Sequence, residues 1–249
     1  MKTSFFGSYG NEIAFQDKTD FMEKVSVIDW SIPDRIKGRK SEHREKYCLR
    51  KYLTQLCLND LLKFPLEIKK DESPDFLITY CDNTTTAIEV TEATIEDYQR
   101  AKTEFKKRPD GSLFTYDIFR NEPLPKREYL KAILNPYDKM GPGWTEYEAA
   151  TEWIICCMTS IRKKIRKIND PHFKYADRYD LLIYDACPFS KGCDIEDAMP
   201  DLKETINNEI SAKSSKRVFT CISLVQDRRL FHDVGNNIVI LAHGRQKFT

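Results

Sequence analysis

The stretch ESPDFLITYCDNTTTAIEVTEA, Glu72 to Ala93, decides how this chain is read. Two apolar runs, DFLITY and AIEVTE, flank CDNTTT, whose Asp, Asn and Thr residues have turn chemistry. The spacing predicts an antiparallel hairpin. Alternation puts Asp75, Leu77 and Thr79 on one face of the first strand, and Ala87, Glu89 and Thr91 on one face of the second. Acids are depleted from strands and costly to desolvate alone, so two of them here need a reason. If the hairpin closes, Asp75 and Glu89 come to the same end of neighbouring strands. Paired hard oxygen donors suit Mg²⁺ or Mn²⁺, which use one or two carboxylates with waters and substrate phosphate. Such a metal polarises a phosphoryl oxygen and supplies hydroxide near neutral pH. Taken singly, each acid has a plainer reading: Asp75 as a turn residue after Pro74, Glu89 as a strand acid paired with a lysine.

Working outward, SEHREKYCLRKYLTQLCLNDLLK, from Ser41, has helical spacing at Leu49, Leu53, Leu56 and Leu61. Ser41 is the expected N-cap, with Glu42 and Glu45 favouring the positive end of the dipole. PLEIKK reads as a further strand before the hairpin, and ATIEDYQRAKTEFKKR as a helix after it. Residues 1–40 read as a mixed N-terminal extension, and 109–143 as a Pro- and Gly-rich irregular insertion. Thr145 caps a third helix, spaced by Trp153, Cys157, Ile161 and Ile165. RYDLLIYDA reads as a continuous, central strand. A helix (DIEDAMPDLKETINNEISAK) and two strands (RVFTCISLVQ, NIVILA) complete the order. The expectation is one α/β domain over 1–249, a central mixed β-sheet flanked by helices.

Composition narrows the class without naming it. The 249 residues are 41% hydrophobic, enough for a sizeable core. Lys and Arg number 40 against 39 acids, so bulk charge neither supports nor excludes a polyanionic partner. Eight cysteines lack Cys-x-x-Cys spacing, and MKTSFFGSYG lacks the basic start and apolar core of a signal peptide. The expectation is a soluble, cytoplasmic protein with reduced thiols. The four histidines have no metal-ligand spacing, and no Ser-His-Asp arrangement, P-loop or dinucleotide glycine motif is visible.

Pro74-Asp75, an apolar strand, a turn, and Glu89 inside a second apolar strand, all after an acid-bearing helix, resemble the core of the PD-(D/E)XK nuclease superfamily. The resemblance covers roughly residues 41–107. It implies a restriction-endonuclease-like α-β-β-β-α-β core with a long insertion. It further implies a metal held by Asp75, Glu89 and the backbone carbonyl of Val90, and a third acid from the preceding helix, for which Glu45 is the best match and Glu42 the fallback. Nucleic acid, DNA before RNA, is the implied substrate, and a homodimer is a further expectation.

One position departs from the pattern. Thr91 stands where the superfamily places a lysine, giving EVT, and a threonine hydroxyl supplies no positive charge. Lys102, with Gln99 one turn before it, is one replacement, and the cluster RKKIRK at Arg162–Lys167 is another. A solvated helix face is the plainer reading for both. Glu92 is left open between a ligand and a solvent-facing acid. Gln99, Lys163, Lys164 and Lys167 are candidate nucleic-acid contacts, because basic helices neutralise phosphates. The expectations are therefore a Mg²⁺-dependent nuclease, a catalytically impaired relative serving as a nucleic-acid-binding or protein-interaction module, or an unrelated α/β protein.

Overall fold

The computed structural model describes residues 5–33, 38–106, 119, 125–127, 129, 144–212, 216–226, 229–234 and 237–242. In chain order its elements are β1 (Glu12–Phe15), α1 (Lys18–Val27), α2 (Ser41–Leu58), β2 (Leu66–Lys70), β3 (Phe76–Tyr80), β4 (Thr85–Ala93) and α3 (Glu96–Lys106). Then follow α4 (Glu146–Ile168), β5 (Arg178–Asp185), α5 (Ile195–Ala212), β6 (Cys221–Val225), β7 (Arg229–Val234) and β8 (Asn237–Ala242). The fold is α/β. All eight strands join one mixed sheet in sequence order, antiparallel through β1–β4, parallel between β5 and β6, and antiparallel again through β8.

The expected hairpin forms, with Phe76 opposite Ile88 and Leu77 opposite Ala87. Its turn closes where the Asn83 N–H donates to the Tyr80 carbonyl, with Asn83 at φ 60°, a left-handed conformation that Asn tolerates. Thr86 to Val90 are all buried, so β4 is covered on both faces. β5 takes the central place read for it, between β4 and β6.

Helix α2 lays Cys48, Leu49, Tyr52, Leu53 and Leu56 on the sheet, where they share a core with Phe76, Ile78, Ile88, Val90 and Leu182. Burying each large apolar side chain contributes roughly 1.5–3 kcal/mol. That face fixes which side of β3 and β4 points away. Asp75 and Glu89 lie on the other.

Several elements differ from the sequence reading. Residues 1–40 hold β1 and α1, the latter capped by the Asp17 carboxylate accepting the Asp20 N–H. α1 buries only Phe21 and Val25, too short a stripe to stand out. Ser41 is the first residue of α2 and not its cap; Lys40 holds that position, its N–H donating to His43 Nδ1. RLFHDV forms the unread strand β7, whose charged and polar residues mask its period. The insertion expected at 109–143 lies outside the described residues apart from 119, 125–127 and 129.

The chain forms two compact units, one of residues 1–91, 161–184 and 214–249, the other of 92–160 and 185–213. In the second, Thr145 and Glu148 form a reciprocal capping box at the start of α4. There too Trp153 is fully buried, and Gln99 Nε2 donates to the Ala186 carbonyl.

Candidate functional site

In the first unit, one step beyond the Phe76–Ile88 pair places Asp75 opposite Glu89. The Val90 N–H donates to Asp75 Oδ2 at 2.7 Å, holding the carboxylate against the edge of β4. In an antiparallel strand a residue's N–H and C=O lie on the same edge, which puts the Val90 carbonyl on the β3-facing edge of β4. Glu89 is 1% exposed and Asp75 9%. Two buried acids side by side need cations, and the C-terminal turns of α4 supply them.

Lys164 Nζ donates to Asp75 Oδ2 at 3.2 Å and to Glu89 Oε2 in a very short contact. Lys167 Nζ donates to both Glu89 oxygens, at 2.8 and 3.0 Å, and stands 3.8 Å from Asp75 Oδ1. Two negative charges therefore face two positive ones in a site shielded from water. Burial, reinforced by Asp75, pushes the Glu89 carboxyl above the ordinary carboxylate range, against the pull of the two lysines. Burial drags on Lys164, but Asp75 and Glu89 outweigh it and raise the ammonium above its usual range.

The i, i+3 spacing of Lys164 and Lys167 puts them on the inward side of α4, bracketed by the buried Ile161, Ile165 and Ile168. Lys163 and Arg166 are exposed on the outer side. Of the cations grouped as nucleic-acid contacts, two thus meet the acid pair and Lys163 does not. The isoleucine period was the signal in the sequence: residues inside an apolar stripe are not on a solvated face.

The other expected residues are placed differently. Thr91 is half-buried on β4. Glu45, on α2, forms a 3.2 Å ion pair with Lys70, without hydrogen-bond alignment, on the α2 face of the sheet. Glu42 is exposed. Gln99 and Lys102 belong to the second unit, where Gln99 is buried and Lys102 is exposed with Nζ 5.6 Å from the Tyr98 ring. Glu92, half-buried in that unit, accepts the Ser160 hydroxyl at its backbone carbonyl.

A third buried carboxylate, Asp180 on β5, has no counterpart in the sequence reading. Its Oδ2 accepts the Tyr52 hydroxyl at 2.8 Å and its Oδ1 the Arg178 Nε–H at 2.7 Å. Burial raises its pKa, opposed by Arg178. With Tyr52 buried against it on α2, this closed network joins helix to sheet.

Among the described residues no group of three or more His, Cys, Asp or Glu could hold a metal ion. The donors available to a cation at the acid pair are the two carboxylates and the Val90 carbonyl. That set fits a hard divalent ion that keeps several waters. The two ammonium groups carry the same charge as one such ion and occupy the same carboxylates.

Compared with protein-family models, curated proteins and solved structures, the chain matches none. Fold and site define an α/β protein with two buried acids bonded to two half-buried lysines. No helix among the described residues is long and apolar enough to cross a membrane.

Proposed function

We propose that this chain is a divalent-metal-dependent nuclease whose centre is Asp75, Glu89, Lys164 and Lys167. The observation that supports it is the Lys164 ammonium bonded to both carboxylates, a positive charge where Thr91 offers none. Asp75, Glu89 and the Val90 carbonyl would hold Mg²⁺ or Mn²⁺. When bound, the ion supplies Lewis-acid polarisation of a phosphoryl oxygen and a more acidic water. Lys164 and Lys167 stabilise the charge that builds on the phosphate, in a shielded site where such donors act most strongly. With no ion bound they neutralise the acids. DNA is preferred to RNA on the resemblance alone, and a reducing, cytoplasmic setting suits eight free thiols.

The test is cleavage of single- and double-stranded DNA and RNA with Mg²⁺, Mn²⁺ and EDTA. The wild-type chain should cut in metal alone, and Asp75→Asn, Glu89→Gln and Lys164→Met should each lose at least a hundredfold. Absence of cutting on every substrate, or full activity in Lys164→Met, refutes the proposal. One feature favours a non-catalytic binding module instead: both Glu89 oxygens are already bonded to lysines. Nucleic-acid binding without cleavage in any metal would select that reading.

A further inference from the structure

A cleft of about 620 Å³ opens in the first unit between the segment after α1, helix α2 and strand β5. Asp29, Trp30, Arg39, Tyr47, Arg50 and Tyr184 line it. The volume is that of a small-molecule site. Its lining is cationic and aromatic. The Arg39 guanidinium lies 5.5 Å from the Tyr184 ring centroid, and Tyr47 meets Tyr184 edge-on at 6.0 Å. Arg50 is half-buried and makes no hydrogen bond or ion pair among the described residues. A half-buried guanidinium with no partner among the described residues can take an anion, because its fork of N–H donors matches phosphate. The acid in the cleft, Asp29, is already engaged, its Oδ1 accepting the Ser31 N–H at 2.9 Å.

The cleft is separate from the acid–lysine cluster. Tyr184 shares a strand face with Asp180, which is bonded to Tyr52 of α2, whereas Glu89 faces α4. A ligand here sits across the sheet from Glu89.

We propose that this cleft binds a free mononucleotide, with Arg50 on the phosphate and the base against the planar Arg39, Tyr47 and Tyr184 groups. Planar cations and tyrosine rings accept any base by stacking, and a cleft of this volume suits one nucleotide better than a continuous strand. The proposal does not depend on nuclease activity.

The test is isothermal titration of the full chain, without divalent metal, against AMP, GMP, CMP and UMP. Adenosine, inorganic phosphate and a single-stranded DNA dodecamer are the comparison arms. At least one nucleotide should saturate with Kd below about 1 mM, at least tenfold tighter than adenosine or phosphate. Arg50→Gln should weaken it at least tenfold, and Arg50→Lys less, with unchanged circular dichroism. If Arg50→Gln misfolds, Tyr47→Leu must give a comparable loss. No saturable nucleotide binding, phosphate binding as tightly as any nucleotide, binding of the dodecamer alone, or an Arg50→Gln variant of wild-type affinity each overturns it.

Discussion

Lys164→Met removes an ammonium bonded to both buried acids while keeping most of the side-chain volume. Removing one partner of a buried ion pair costs about 3–5 kcal/mol, because the remaining charge stays desolvated. Lys167 still bonds both Glu89 oxygens, and the Lys164 side chain is only 17% exposed, so the screening discount is small. The expected loss at pH 8 is therefore about 2–3 kcal/mol, just under that range. The sign of its pH dependence follows from Glu89, whose carboxyl is already raised by burial and Asp75. Losing Lys164 raises it further, so the folded variant holds a proton that the unfolded chain has released. Stability then falls as pH rises from the ordinary carboxylate value through the raised one. The deficit should be smallest near pH 4.5 and largest at pH 8. Lys164 itself is raised, so its stabilisation is complete below its ordinary value and lost only as pH climbs through the raised one, well above pH 8. The assay is urea unfolding of both proteins from pH 4.5 to 8, with Lys164→Met/Glu89→Gln as the control that removes both charges. The double variant should return to within about 1 kcal/mol of wild type. A single-variant loss below about 0.5 kcal/mol at pH 8, or the same loss at both pH values, refutes the assigned electrostatics.

Tyr52→Phe strips the hydroxyl from Asp180 Oδ2 and leaves that buried oxygen unsatisfied, so urea unfolding should show a loss of about 1–3 kcal/mol. Since the Tyr52 hydrogen bond helps hold Asp180 down against burial, the loss should be greater at pH 8 than at pH 4. Of the eight thiols only Cys81 is exposed and Cys193 is half-buried, so a native Ellman titration should show one fast equivalent that Cys81→Ser abolishes and at most one slower one; more than two reacting thiols would contradict the burial of the other six.

Legibility in the sequence followed the strength of local pattern. The hairpin, α4 and central β5 are each long or strongly periodic, and each forms where read; α2 forms from Ser41 but ends at Leu58, short of the Lys63 its sequence pattern suggested. α1 was not legible, with two inward residues, and neither was β7, whose charges hide its alternation. Asp75 and Glu89 could be paired in advance because a hairpin fixes its own register: one turn of known length sets which residues face each other. The source of the positive charge stayed open between Lys102 and the RKKIRK cluster, because no local pattern fixes the pairing of Lys164 with Glu89, 75 residues away along the chain.

The sequence by itself therefore determined the α/β class, the hairpin and the meeting of its two acids. These rest on period-2 and period-3.6 patterns and a short turn, all local. Only the tertiary structure decided that Lys164 and Lys167 face inward onto those acids while Lys163 faces water, that Glu45 pairs with Lys70 on the α2 face, and that Arg50 stands in a cleft with Tyr47 and Tyr184. The physical reason is the same throughout. A helix offers its cations in several directions, and only packing against a particular sheet face selects which of them are desolvated and must find a charge.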